Sequence, residues 1–364
     1  MEVKFLDIVA QYKMLKKDID NAVLSVFESG QFVKGKDVKL FERDFSEFCS
    51  VNNCICCGNG TDALIYLLMA MDLKKGSTVI VPANTFIATA EAVLANGLKV
   101  RFADVDEDYN ISPESVENLM NEDVSAIIAV HLYGLPAKIK TLRKIAEKWN
   151  VKLIEDAAQA HGAAIDGKRV GSLADGATFS FYPGKVLGAA GDAGAIMLND
   201  KALAQKVRML CDHGRVDKYS HDLSGGNSRM DTVQAAVLNV KLKHLGEWLK
   251  KRDHVAKMYL ELLKDQKDIE LPYVRSGVKH AWHLFVIRSK KRDELMKYLK
   301  KEGVQCGIHY PRSLPEQPVF QEHLSYCKNY KAVLWSKEYL SLPIGEHLTD
   351  EMIHTVVSKI KNFK

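Results

Sequence analysis

The 364-residue chain has no apolar run of about 18 residues or more, the length that a membrane-crossing helix needs. Its opening, MEVKFLDIVAQYKML, lacks the apolar stretch of a secretory signal. It has no internal repeat and no low-complexity segment. Charge of either sign is nearly balanced: 51 Lys and Arg against 46 Asp and Glu leave +5, with the signs interspersed, so there is no basic stripe for nucleic acid. The seven cysteines are an odd number, and three crowd into NNCICCGNG (Cys54, Cys56, Cys57) with no His or Cys pair nearby at zinc-ligand spacing. These absences predict a soluble cytoplasmic protein with reduced, buried thiols, no metal, no membrane and no nucleic-acid partner.

What is present is apolar patterning. Hydrophobic residues make up 47% of the chain, enough for a sizeable core. Residues 15–30 and 38–48 have helical spacing. From residue 54, short apolar runs alternate with amphipathic segments: CICCG, STVIVPA, KVRFADV, SAIIAVHLYG and VKLIEDA read as strands, separated by helices, one of them capped by Ser112. ATFSFY and AGAIML follow as two further strands. Residues 201–214, 229–245 and 247–264 read as helices, and AWHLFVIR as a strand followed by a helix at 291–302. Continuous apolar strands with intervening helices predict an α/β fold, a mostly parallel seven-stranded sheet covered on both faces. The expected domains are 1–248, a large α/β unit with N-terminal helices, and 249–364, a smaller α+β unit. Such sheets bind ligands at the carboxyl ends of their strands.

Three stretches end or follow strands. GNGTDA (58–63) has the spacing of a dinucleotide fingerprint, but IVPANT ends the next strand without the acid that a Rossmann site needs. It reads either as a phosphate cradle at a helix N-terminus or as a glycine turn capped by Thr61. Asp156, ending VKLIED, is either a helix cap or a buried carboxylate holding a cationic group of a ligand. Gln159 and His161 follow on the same turn. Lys185, in FSFYPGKVLGAAGDAGAIM, is either a surface lysine or a partly desolvated nucleophile. It lies 185 − 156 = 29 residues after Asp156. A strand-end aspartate, a following lysine and a phosphate-type turn together meet the needs of pyridoxal phosphate.

With these motifs, the chain resembles the nucleotide-sugar aminotransferases of the DegT/StrS type, of the aspartate-aminotransferase-like fold-type I, and among them the sugar 3-aminotransferases. GNGTDAL, VPANTFIATAEA, VHLYG, IEDAAQAHGA, FSFYPGKVLGAAGDAGAI, DHG, GGNSRMDTVQAAVL and GIHYP occur in that family's order. The resemblance implies that Lys185 joins the cofactor's aldehyde as a Schiff base, that Asp156 pairs with its ring nitrogen and that Gln159 sits near its phenolic oxygen. It implies that Gly60, Thr61 and Ser180 hold the phosphate, and that Phe86 stacks on the ring. Asn227 would reach the phosphate of a neighbouring subunit, in a homodimer with shared active sites. Lysine at 185, where dehydratases of the family carry histidine, favours transamination.

The resemblance further implies transfer of an amino group from L-glutamate, through pyridoxamine phosphate, to a nucleotide-linked keto-sugar, with Lys185 as base and acid. The expected substrate is a dTDP-3-keto-6-deoxyhexose, giving an amino sugar for glycans such as O-antigen or for natural products. UDP-linked 3-keto-N-acetylglucosamine and 4-keto-sugars are the rivals. Substrate candidates are Tyr182, Arg215, Lys218, His309, Tyr310 and Arg312. Two other classes stand beside this reading: a Rossmann-type oxidoreductase and a non-catalytic, cofactor-bound regulator.

Overall fold

The computed structural model describes residues 2–363. Three helices, α1 (Ile8–Met14), α2 (Lys16–Ser29) and α3 (Lys36–Cys49), precede the sheet. Strands and helices then alternate: β1 (Asn53–Cys57), α4 (Gly60–Ala70), β2 (Thr78–Pro82), α5 (Ala88–Ala95), β3 (Lys99–Ala103), α6 (Pro113–Leu119), β4 (Val124–Val130), α7 (Ile139–Trp149) and β5 (Lys152–Asp156). A hairpin of β6 (Ala164–Ile165) and β7 (Lys168–Arg169) leads to β8 (Gly176–Ser180) and β9 (Gly194–Leu198). Helices α8 (Lys201–Leu210), α9 (Thr232–Leu242) and α10 (Leu245–Leu263) follow. The remainder holds β10 (Val278–Lys279), β11 (Phe285–Arg288), α11 (Arg292–Lys301), α12 (Leu324–Cys327), α13 (Lys331–Trp335), β12 (Tyr339–Leu342) and α14 (Asp350–Asn362).

Seven strands, β1–β5, β8 and β9, form one sheet in the order β1-β9-β8-β5-β4-β2-β3. It is parallel except for β9, which runs antiparallel to both β1 and β8. Side chains alternate across the sheet because the strand period is two. Val79, Val81, Ile128 and Ile154 enter one core with α4 and α5, whereas Ile80, Ile127 and Leu153 enter another with α7. Burial on both faces explains the unbroken apolar runs.

The expected 248/249 boundary falls inside α10. Leu245 and Leu249 pack in a core with β8 and β9, and Val255, Ala256, Tyr259 and Leu263 pack in the core that holds β11, β12 and α14. Contacts also cross that boundary in both directions. Val3 belongs to the C-terminal core, and Leu314, Phe320, Cys327 and Ala332 join the core of the large sheet. Several elements are shorter than their apolar patterns. The strand expected over AWHLFVIR begins only at Phe285, because Trp282 has φ 48° and its N–H is taken by the His280 ring. The helix expected over 229–245 starts at Thr232, after an extended segment bridged to Val33 and Asp212. Among the described residues, no helix is long and apolar enough to cross a membrane.

Candidate active site

A pocket of about 670 Å³ opens beyond the carboxyl ends of the parallel strands. Asp156, Ser180, Lys185, Gly60, Thr61, Phe86, Gln159, Tyr182, His309 and Tyr310 all line it. The chain thus brings together residues from four loops and the start of α4.

Asp156 is the last residue of β5, paired between Val130 of β4 and Thr178 of β8. Its neighbour Glu155 projects to the opposite face, where His131 and the N–H groups of Gly171, Leu173 and Ala174 hold it. Only Asp156 faces the pocket. Its Oδ2 accepts from Thr89 Oγ1 at 2.8 Å and its Oδ1 from the Ala158 N–H at 3.2 Å. Burial pushes the carboxyl above the usual range, against these two bonds and the attraction of Lys185. The alternative of a helix cap falls away, since a turn and not a helix follows.

Lys185 follows β8 in a tight loop and is half-buried. Burial lowers its amine to about 8, and the Asp156 carboxylate opposes that shift without cancelling it. An amine so placed has a neutral fraction near physiological pH and can act as nucleophile or base.

Asn59, not Thr61, caps α4: its side chain accepts from the Asp62 N–H at 2.8 Å. Gly60 and Thr61 occupy the first two helical positions, where N–H groups have no partner within the helix and suit an anion. A Cβ on Gly60 would lie 2.7 Å from Ser180 Cβ, so glycine is what lets the helix start meet the end of β8. Phe86 is 54% exposed and holds its ring at the mouth, 6.0 Å from that of Tyr310.

Two further side chains organise the wall. Gln159 accepts from the Tyr133 N–H at 2.7 Å and donates to the Tyr310 hydroxyl at 3.1 Å. Tyr133, with φ 58°, also donates its hydroxyl to the His309 carbonyl. His309 hydrogen-bonds Ser341 at 2.8 Å and is pushed down to about 4, by burial first and Lys185 second. It is therefore neutral. His161 lies outside the pocket, between the rings of Phe179 and Phe181, lowered to about 3 by burial.

Four expected residues do not reach this pocket within one chain. Asn227 is exposed on a segment bridged to Asp212. Arg215 lies 3.8 Å from Asp212, in a separate groove with Lys34 and Arg229. Lys218 is exposed beside the Tyr219 ring. Arg312 is exposed, two residues beyond Tyr310. The loop after α8 is anchored to that helix's own carbonyls, which carries its cations away from Lys185. Conversely, Thr89, Tyr133, Arg252 and His283 belong to the site or its support and were not singled out by the sequence. Thr89 lies inside the quoted VPANTFIATAEA and Tyr133 inside VHLYG, and those motifs are the signals that could have marked them.

Residues 13–361 match the DegT/DnrJ/EryC1/StrS aminotransferase family. The chain belongs to it. It is 42% identical to the erythromycin biosynthesis sensory transduction protein EryC1 of Saccharopolyspora erythraea, covering 99% of each chain. It is 41% identical to dTDP-3-amino-3,6-dideoxy-alpha-D-galactopyranose transaminase of Aneurinibacillus thermoaerophilus, also covering 99% of each. The crystal structure of Streptomyces venezuelae DesV with a ketimine intermediate superposes with a TM-score of 0.96 at 37% identity, covering 99% of this chain and 98% of that one. The protein is thus a fold-type I, pyridoxal phosphate-dependent sugar aminotransferase, and the oxidoreductase alternative is set aside. The pocket fits the cofactor: Lys185 for its aldehyde, Asp156 for its ring nitrogen, and the free N–H groups of α4 beside Ser180 for its phosphate.

Proposed function

We propose that this aminotransferase carries an amino group from L-glutamate to C-3 of a dTDP-linked 3-keto-6-deoxyhexose, as a cytoplasmic homodimer with shared sites. The observation that carries the reading is an intact Lys185–Asp156 pocket in a chain that matches a dTDP-3-amino-sugar transaminase end to end. Seven free cysteines suit a reducing compartment. The exposed position of Asn227, outside its own pocket, suits a residue that serves a partner subunit.

When bound, pyridoxal phosphate supplies an aldehyde that accepts the amino group and a ring that takes up the electron pair left when a proton is removed. The chain's residues do the rest. Asp156 keeps the ring nitrogen protonated, and a cationic partner in turn lowers its raised carboxyl. Lys185 Nζ takes the proton from the donor's Cα and returns it on the other side of the transfer, a task suited to an amine titrating near the working pH. The Gly60 and Thr61 N–H groups and the Ser180 hydroxyl hold the phosphate. Phe86 covers the ring. Tyr310 receives the Gln159 amide on its oxygen, which leaves its own proton free to donate to a sugar oxygen. His309 and Tyr182 complete that wall.

The test is a panel of dTDP- and UDP-linked 3-keto and 4-keto sugars with L-glutamate, read by mass spectrometry. Amination of the dTDP-3-keto sugar with release of 2-oxoglutarate is expected. Preference for a UDP-linked 3-keto-N-acetylglucosamine overturns the nucleotide assignment. No turnover of any keto-sugar in the panel overturns the substrate assignment.

A further inference from the structure

A second buried lysine lies under the loop that carries Lys185. Lys241, in the last turn of α9, is 4% exposed, and its Nζ donates to the Gly188 carbonyl at 2.8 Å. The same helix grips the loop again two residues on, where the Ala190 N–H donates to Gln234 Oε1 at 2.8 Å. Between these tethers and the sheet the loop closes on itself. The Lys185 N–H meets the Tyr182 carbonyl at 2.8 Å and the Ala189 N–H meets that of Phe181 at 2.7 Å. A Cβ on Gly188 would sit 2.4 Å from the Pro183 oxygen, so the turn has no slack.

Packing does not require a charge at 241. Ala235 and Leu238 of α9 already meet Val186, Leu187 and Ala189 in one apolar core, and an unbranched apolar side chain would fill the same path. An ammonium taken from water and given one protein acceptor costs stability. Burial accordingly lowers the Lys241 amine to about 8, and the Glu346 carboxylate is the one charge that opposes this. Glu346 is itself bound by Arg252 at 3.2 Å, and Arg252 donates to the carbonyls of Trp282, His283 and Ile344. Leu284, His283 and Ile344 line the same pocket as Lys185. Lys241 thus stands between the loop and the charged pair that fixes that wall.

We propose that Lys241 is a positioning residue for Lys185: it anchors the Gly188 carbonyl, and with Gln234 it holds the lysine loop in the shape that keeps the Lys185 amine in the pocket. This rests on Lys185 being the cofactor-binding lysine. Lys241 touches neither cofactor nor substrate.

The test compares wild type with Lys241→Met, Lys241→Arg, Gln234→Leu and Lys185→Ala. In Lys241→Met, amide hydrogen exchange over residues 181–191 rises about tenfold or more while other segments keep their rates, and the melting temperature does not fall. The visible absorption band of lysine-bound pyridoxal phosphate still forms, its pH midpoint shifts, and kcat drops more than KM changes. Lys241→Arg, which keeps a donor, restores part of the protection, and Gln234→Leu reproduces the local exchange change. Wild-type exchange and wild-type pH midpoint in Lys241→Met overturn the proposal, as does exchange raised along all of α9 with a lower melting temperature. Lys185→Ala tests the underlying assignment separately: if it keeps the wild-type band, that assignment fails whatever Lys241 does.

Discussion

The Thr89 hydroxyl on α5 donates to the Asp156 carboxylate at the end of β5 over 2.8 Å, joining residues 67 apart in sequence. It is one of two donors that offset the burial of this carboxylate. Thr89→Val keeps the shape and removes the donor. A hydrogen bond to a charged group contributes about 1.5–3 kcal/mol, so kcat/KM is expected to fall about ten- to hundredfold. The acid limb of the pH profile moves to higher pH, because the Asp156 carboxyl rises further. Thr89→Ser keeps the wild-type limb. Steady-state kinetics over pH on the three proteins check this.

Lys185 leaves a mark on stability in the cofactor-free protein. Burial lowers its folded amine to about 8, below the ordinary lysine value of 10.5. Between those values the unfolded chain binds more protons than the folded one, so stability rises with pH through this window. Below about 8 both forms are charged and the burial penalty is present in full. Lys185→Met should therefore melt higher than wild type at pH 7, with the advantage shrinking as pH approaches the upper value. Thermal melts at several pH values decide it, and a constant difference would mean that the amine is not shifted.

Gly60 is where backbone proximity carries the phosphate cradle. Gly60→Ala sets a methyl group 2.7 Å from Ser180 Cβ, and the helix start must move off β8. Titration with pyridoxal phosphate, followed by fluorescence, is expected to show about tenfold weaker binding or more, the loss of roughly one charge-assisted hydrogen bond. Gly246→Ala, at a position on α10 with open space around it and no positive φ, serves as the control.

The Arg252–Glu346 pair is buried, with side chains 2% and 4% exposed. Removing one partner strands the other. Glu346→Gln is expected to destabilise by about 3–5 kcal/mol, and the double variant with Arg252→Met to recover much of that loss. The Glu346 carboxyl lies below its usual range despite burial, chiefly through Arg252. Its contribution is present at neutral pH and is lost as pH falls through the folded value. Urea unfolding at pH 7 and pH 4 measures both effects.

Asp156 and Lys185 were legible because each ends or follows an apolar strand, and a charge there stands out against its surroundings. The sheet was legible for the same reason: strands buried on both faces spell unbroken apolar runs. Thr89 sits inside the quoted VPANTFIATAEA, but its partner lies two strands away, so its role was not legible. Arg252 sits in WLKKRDHVAK, where one cation of several is buried and only the tertiary fold selects which. Arg215, Lys218 and Arg312 were singled out as loop cations and lie outside the pocket of their own chain. Loop cations attract attention as anion ligands, but sequence does not say which way a loop runs. In this fold, the segment after α8 runs back against its own helix.

That segment also carries Asn227. Asn227 is exposed and lies outside the pocket of its own chain, whereas Lys185 lines it. If each site takes Lys185 from one subunit and Asn227 from the other, Lys185→Ala and Asn227→Ala damage complementary halves. Each variant alone should lose most activity. In a mixed dimer, one site carries both defects and the other carries neither. Random reassortment makes half of the dimers mixed, and half of the sites in those are intact, so mixing the two inactive variants should restore about a quarter of wild-type activity. Recovery on that scale, after subunit exchange verified by differently tagged chains, supports the shared site. Mixed dimers that form but stay inactive mean that each site takes both residues from one chain, and Asn227 would then need a route to its own pocket that this loop does not provide.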